Sequence, residues 1–350
     1  MKVIVYLGHP AHFHNYKNTI ASLKEHGHQV EVLIKKKDIL ETLLQDAGIP
    51  YHNILEEGRK NSKLGMLIGV LKRAWRLNKF CASFQPDILT GTSVENSFIG
   101  RLRHIPVINI NEDDAAVVPL YARLSYPWAD VILCPTTCDC GKWNNKAVKY
   151  QGYQELAYLH PDVFTPDKSV VEKYFDPETP FFLLRFASLK AHHDSGIRGI
   201  DTEIAQKLID MLKPHGRIYI TSERALEPQF EEYRISIAPL DIHHVMAFAD
   251  MYLGDSQTMA AEAGVLGTPF VRFNDFVGRI GYLSELEDKY ELGYGIKPDN
   301  VEQLYDVVAK MLAMPDKKAV YKERRMAMLS EKINYSKFLT SYIENYPINR

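Results

Sequence analysis

Short apolar runs rich in Val, Ile, Leu, Phe and Tyr alternate with amphipathic helical stretches from one end of the chain to the other. In the first half the runs predict strands over Lys2–Leu7, Gln29–Ile34, Asp87–Thr90, Val107–Asn111, Val131–Pro135 and Val148–Gly152. In the second half they predict Phe181–Phe186, Arg217–Thr221, Ser236–Pro239, Met251–Gly254, Phe270–Phe273 and Gly295–Ile296. Strands that alternate with helices imply a parallel sheet wrapped by helices, and two comparable sets predict two similar α/β units. Between them Pro161, Pro166, Pro177 and Pro180 stop regular structure repeatedly. The expected division is therefore an N-terminal domain over 1–160, a linker over 161–180 and a C-terminal domain over 181–316. Residues 317–350 are helical in composition and are expected to pack back on the first domain.

Side chains at the C-terminal ends of strands in an open parallel sheet border the ligand crevice. The loop Gly8 to His14 puts His9, His12 and His14 there. An imidazole can take a proton from a sugar hydroxyl; the alternative is a solvated histidine-rich turn. A second loop carries Ser93 and Glu95 into the next helix. A third, Asn109 to Asp114, ends in Glu112, Asp113 and Asp114, which either cap a helix or orient an acceptor hydroxyl or a histidine.

The stretch Gly254 to Pro269 has the clearest boundaries. Asp255 or Ser256 caps a helix, Gly267 closes it, and Pro269 opens the next strand. The N–H groups of the first turn and the positive dipole end, from Ser256 through Gln257 to Thr258, suit a diphosphate or another anion. Ala260, Ala261, Ala263 and Gly264 keep the helix slim, and Thr258 shares a face with Glu262. That carboxylate, one turn in, either accepts both hydroxyls of a ribose or is simply solvated. Other polar loops follow: Arg185 with Ser188, Lys190, His192 and His193; Ser222, Glu223 and Arg224; His243 and His244; Asp275 to Arg279. Arg185 lies in an apolar strand and needs an anionic partner, either a ligand phosphate or an internal carboxylate.

Charge and composition narrow the partners. The chain has 350 residues, 42 Lys+Arg against 44 Asp+Glu, so it lacks the basic field on which a nucleic-acid binder depends. No apolar run approaches the ~20 residues of a bilayer-spanning helix. The best, Leu64 to Leu71, is followed by Lys72, Arg73, Trp75 and Arg76, which makes Leu64–Arg76 a candidate for peripheral membrane contact, the alternative being a buried core helix. The N-terminus reads as a first strand without a cleavage site. Four cysteines suit a reducing cytoplasm. Cys134, Cys138 and Cys140 are spaced C-x3-C-x-C, which is not a standard zinc spacing, and they read as buried thiols at a strand end. Zinc ligation by His9, His12 and His14 is disfavoured by the lack of a nearby carboxylate or cysteine. No metal site is expected.

With these residues assembled, the chain resembles the GT-B superfamily. The resemblance is carried by His9-Pro10-Ala11-His12 with His14, by Asp113, and by Arg185 followed by His192-His193. Above all it is carried by Asp255 to Glu262 with Leu266-Gly267-Thr268-Pro269 and Phe276-Val277-Gly278-Arg279. Within the superfamily it is most similar to an uncharacterised prokaryotic glycosyltransferase-like family, related to the non-hydrolysing UDP-N-acetylglucosamine 2-epimerases and the lipid II-forming N-acetylglucosaminyltransferase. The resemblance implies two Rossmann-like domains facing across a cleft. It implies a nucleotide-sugar, UDP-linked, in the second domain, with Ser256 to Thr258 at the diphosphate and Glu262 at the ribose, and a glycan or lipid-linked acceptor in the first. It implies His14 or His12 as base, Arg185 and Arg279 neutralising the leaving group, and no required metal or other cofactor. The glycine-rich turn of the lipid II enzyme and the Arg-Pro-Glu turn of the epimerases are both absent. Three readings follow: a glycosyltransferase in surface polysaccharide synthesis, a UDP-sugar 2-epimerase using Asp113, Glu112 or Glu95, and a non-catalytic nucleotide-binding protein.

Overall fold

The structure, a computed structural model, describes residues 1–35, 39–55, 63–186 and 198–348, without the side chains of Leu55 and residues 63–67. The chain forms two compact units, Met1–Val163 with Ile333–Arg350, and Phe164–Lys332.

The first unit is built on strands β1 (Lys2–Leu7), β2 (Gln29–Lys35), β3 (His52–Leu55), β4 (Ile88–Gly91), β5 (Val107–Ile110), β6 (Val131–Pro135) and β7 (Ala147–Tyr150). They lie in the order β3-β2-β1-β4-β5-β6-β7, and every pair is parallel. The central strands are buried almost end to end because helices cover both faces, which is why they read as continuous apolar runs. The strand order reverses between β1 and β4. Gly91 ends β4 at φ +129°, and a Cβ there would sit 2.4 Å from the Tyr6 carbonyl oxygen, so only glycine fits.

The second unit holds β8 (Phe181–Phe186), β9 (Arg217–Ser222), β10 (Met251–Gly254), β11 (Phe270–Phe273) and β12 (Gly293–Ile296), in the order β12-β11-β10-β8-β9 and again all parallel. Its order reverses between β8 and β10. In doubly wound sheets that reversal is where the crossover helices diverge and leave a crevice at the strand C-termini.

Two expectations are corrected and one strand is added. Ser236–Pro239 is not a strand: the chain makes one isolated bridge, Arg234 to Ile220, and the Ala238 N–H then turns to the Tyr174 hydroxyl at 3.0 Å. The edge strand His52–Leu55 escapes the sequence pattern, since half-exposed His52 and Asn53 hide it. Residues 164–180 are not a free linker, because they pack on the second unit: Phe175 stacks on Tyr219 at 4.0 Å, and Asp167 caps a short helix, Lys168–Glu172.

The C-terminal helices part company. Lys317–Glu331 stays with the second unit, where Arg325 donates to the Val265 carbonyl at 2.9 Å. Tyr335–Glu344 joins the first: the Ile333 N–H donates to the Gln151 carbonyl, Tyr335 packs on Tyr150, and Tyr335, Leu339 and Ile343 are fully buried.

Candidate functional site

The β8/β10 reversal assembles most of the second unit's expected site residues. Arg185, on β8, is the register partner of Gly254, the last residue of β10. A Cβ on Gly254 would lie 2.7 Å from the Arg185 carbonyl oxygen and 2.6 Å from the Tyr252 hydroxyl, so glycine permits this close approach. Ser256 then caps the helix Gln257–Leu266 by accepting from the Met259 N–H at 3.4 Å, and Gly267 closes it at φ +81°. Gln257 and Thr258 occupy its first turn, half-buried. Glu262 is not solvated. It is buried, and its Oε1 lies 2.9 Å from His243 Nε2, itself buried on the neighbouring helix Ile242–Phe248. This contact fixes the carboxylate's orientation. His244 bonds elsewhere, its Nδ1 accepting from the Asp167 N–H at 3.0 Å.

Arg185 finds the internal partner in Glu223, at 2.5 Å, while its Nε is buried with no hydrogen-bond partner among the described residues. Ser222 and Arg224 form a tight turn in which the Arg224 N–H donates to Ser222 Oγ at 3.2 Å and that hydroxyl donates to the Arg224 carbonyl at 2.8 Å. The Arg224 guanidinium lies over the Phe186 ring and donates to the Ile200 carbonyl, and its Nε too is buried without a partner among the described residues. Two buried guanidinium N–H groups without a partner among the described residues mark one sheet edge as suited to an acceptor.

A cavity of about 490 Å³ opens at the same edge, lined by Arg198, Arg224, Asp255, Phe273, Pro298 and Val301 among others. It is within the size range of small-ligand sites. Arg198 carries no signal in the sequence; it is anchored by Asp275 at 2.8 Å and Asp299 at 2.7 Å, and its guanidinium holds both carboxyls below their usual range. Asp255 is buried at the wall. A carboxylate there suits hydroxyl or N–H donors rather than phosphate. Arg279 is exposed and stacked over Phe276 at 5.1 Å. Ser188, Lys190, His192 and His193 lie outside the described residues.

In the first unit the three histidines have three environments. His9 is exposed and caps the helix Pro10–Glu25, its Nδ1 accepting from the Ala11 N–H. His12 accepts from the Gly8 N–H through Nδ1 at 3.1 Å, and burial, with His9 and Lys35 nearby, lowers its pKa to about 3. It is therefore neutral with its proton on Nε2, a donor, which argues against the expected role as base. His14 is buried, its ring 5.1 Å from that of Tyr158.

Ser93 caps the helix Val94–Arg103 through the Asn96 N–H and donates to Glu95, whose buried carboxylate pairs with Arg73 at 2.5 Å. Both serve the local structure. Glu112 is different: burial, then the charges of Glu155 and Asp113, push its pKa well above the usual carboxylate range. Glu155 escapes sequence reading because it lies in a short turn after the seventh strand, Gln154–Ala157, with no pattern to mark it. Asp113 contributes its carbonyl, which accepts from Asn111 at 2.7 Å and from the Cys138 thiol at 3.4 Å.

The first unit also carries an apolar surface. Ile68, Leu71 and Trp75 share one exposed face of the helix Lys63–Phe84, Phe98 and Leu102 one face of Val94–Arg103, and Leu120 and Leu124 one face of Pro119–Ser125, followed by Trp128. These helices are neighbours, joined by Arg73–Glu95 and by the Ser97–Ser125 hydroxyl pair at 2.8 Å. Exposed Lys72, Lys79, Arg101 and Arg123 are carried on the same helices. No helix among the described residues is long and apolar enough to cross a membrane.

Two all-parallel α/β units with these strand orders have the GT-B fold, and solved structures of that fold match the whole chain. The UDP-GlcNAc 2-epimerase of Neisseria meningitidis bound to UDP-GlcNAc is 16% identical with a TM-score of 0.65, over 98% of this chain and 100% of that one. The S. aureus MnaA–UDP co-structure is 15% identical with a TM-score of 0.67, over 99% and 96%. The spinosyn rhamnosyltransferase SpnG complexed with spinosyn aglycone is 14% identical with a TM-score of 0.62, over 99% and 100%. At such identities the likeness establishes the fold. The chain belongs to the family described as "Protein of unknown function (DUF354)", whose model matches residues 1–280. No curated protein matches the sequence.

Proposed function

We propose that this protein is a glycosyltransferase that moves a sugar from a nucleotide-sugar, UDP-linked, to a glycan or lipid-linked acceptor at the cytoplasmic face of a membrane. The observation that carries the reading is the β8/β10 edge: buried Nε–H groups of Arg185 and Arg224, the opening of the Ser256-capped helix, and a carboxylate held by His243, around one strand reversal. Cations and helix N–H groups suit a departing diphosphate, which gains charge as the sugar leaves. Glu262 and Asp255 suit ribose hydroxyls and base donors. Fixed cations supply the charge, so turnover is expected without added Mg2+. In the first unit His14 would deprotonate the acceptor and His12 would donate to it.

The apolar faces of the first unit, with their basic residues, suit an anionic lipid surface that delivers the acceptor. Anionic vesicles should therefore retain the protein and neutral ones should not, and Leu71→Glu with Trp75→Glu should abolish the retention. Retention that survives both changes would remove the membrane from the proposal.

One observation favours a second reading, the 2-epimerase. Burial and the neighbouring Glu155 carboxylate push the Glu112 carboxyl well above its usual range, the kind of environment that suits one member of an acid/base pair. Incubation with UDP-N-acetylglucosamine alone, followed by NMR of the sugar, separates the two: inversion at C2 without an acceptor supports the epimerase and overturns the transferase. A thermal-shift panel of nucleotide-sugars tests the common premise, since a ligand that binds only the folded form raises the melting temperature.

A further inference from the structure

Cys134, Cys138 and Cys140 are all buried, and their sulphurs lie within 4.8 Å of one another, Cys134 and Cys140 at 3.6 Å. Thiolates around a tetrahedral cation with bonds of about 2.3 Å stand about 3.8 Å apart, so the cluster needs little movement to close on an ion. The loop that presents two of them is held from outside. The exposed Asp139 carboxylate accepts from the Gly141 N–H at 2.8 Å and from Asn144 at 2.7 Å, the Asp139 carbonyl accepts from the Ala115 N–H, and the Cys138 and Cys140 N–H groups are bonded to Pro135 and Asn144. The residue between the two cysteines thus faces solvent, while the Cys140 thiol lies against Cys134 and the Cys138 thiol, within 4.8 Å of both, donates to the Asp113 carbonyl at 3.4 Å, a bond that metal binding would replace. Cys134 itself is fixed in β6, opposite Lys149 in the ladder. Tyr126 and Trp143 enclose the cluster in an apolar shell.

We propose that this trithiol is a binding site for one thiophilic cation, Zn2+ or Cu+. Each thiol releases its proton to solvent as its metal–sulphur bond forms, so Zn2+ leaves three thiolates with a net charge of −1 and Cu+ with −2. Such a charge is tolerable in an apolar shell only when the cation sits among the sulphurs, and soft thiolates select these ions over hard ones. The site fixes the turn after β6 in the first unit and stands apart from the nucleotide-sugar reading.

The test uses the full chain, reduced and stripped of metal. Titration with Co2+, as a spectroscopic stand-in for Zn2+, and separately with Cu+ should show one equivalent bound, with sulphur-to-metal charge-transfer absorption. Cys134→Ser, Cys138→Ser and Cys140→Ser should each weaken binding at least tenfold, and Cys81→Ser, far from the cluster in sequence, should not. Because a serine variant can fail to fold, alkylation of the unsubstituted chain provides a second readout: the metal should slow labelling of three thiols and leave the fourth unaffected. Absence of a stoichiometric complex with either ion, binding unchanged in Cys138→Ser, or alkylation insensitive to metal would each overturn the proposal.

Discussion

The two units share an architecture and differ in where they expose unsatisfied chemistry. The second is concave and polar: at its strand C-termini lie a cavity of about 490 Å³ and two guanidinium N–H groups buried without partners among the described residues. The first is apolar on its helix backs and hydrogen-bonded at its strand ends. It carries nine of the ten large hydrophobic side chains that stand exposed among the described residues, the exception being Met326, while Ser93, Glu95 and His12 at its strand ends are spent on internal hydrogen bonds. Two all-parallel sheets that reverse in the same way, one of seven strands and one of five, can therefore be specialised through their edges and helix backs. One unit presents buried N–H donors without partners among the described residues at its sheet edge, and the other exposes apolar side chains on its helix backs.

The comparison breaks most sharply on turnover. His14→Ala should remove turnover by about a hundredfold or more, the usual worth of a positioned base, while leaving nucleotide affinity within a factor of about two; stopped assays and calorimetry on the same preparation read both. If affinity falls equally, the histidine belongs to the fold rather than to the reaction. Next in size, Arg185→Ala should cost about tenfold or more in nucleotide-sugar affinity, the loss of a charge-assisted hydrogen bond. Unchanged affinity would move the donor site away from β8. Gly254→Ala should destabilise the protein by roughly 1–3 kcal/mol in denaturant unfolding, because its Cβ meets backbone and a buried hydroxyl with no room to yield. Ser256→Ala should cost about 1 kcal/mol through the lost cap.

The remaining test is a pH dependence in the first unit, which emerges only in acid. The folded pKa of His12 is lowered to about 3, below the unfolded value of about 6.5, so the unfolded chain binds the extra proton first. The stability this group contributes is complete above about pH 6.5 and is lost as pH falls toward 3. His12→Asn, which retains an acceptor for the Gly8 N–H, should flatten melting temperature against pH over that window; an unchanged slope would mean that His12 titrates normally.

What the sequence revealed was local. The Gln257–Leu266 helix is legible to within a residue at its start, where Asp255 and Ser256 both suit a cap, and sharply at its end, because cap, closing glycine and the proline beyond act within a few positions. Central strands were visible because burial on both faces makes them uniformly apolar, whereas the edge strand His52–Leu55, with half-exposed His52 and Asn53 beside buried Ile54, was not. Periodicity finds the apolar side of a helix but is silent on which way that side turns. Hence Leu71 and Trp75 were compatible with core or surface, and Phe98, Leu102, Leu120 and Leu124 raised no signal at all. Likewise, three histidines in one loop looked equivalent, and only tertiary burial separated them. The convergence of Cys134 with Cys138 and Cys140 depends on a turn that the spacing alone does not encode.

The assignment of Tyr335–Glu344 to the first unit bears on how the protein is made. A ribosome would release the second sheet fully synthesised while the earlier one still waited for its closing layer of Tyr335, Leu339 and Ile343. A premature stop after Lys332 would therefore injure the half translated first and spare the half translated last, and proteolytic nicking of such a product should begin near Tyr150, where the missing helix would have lain.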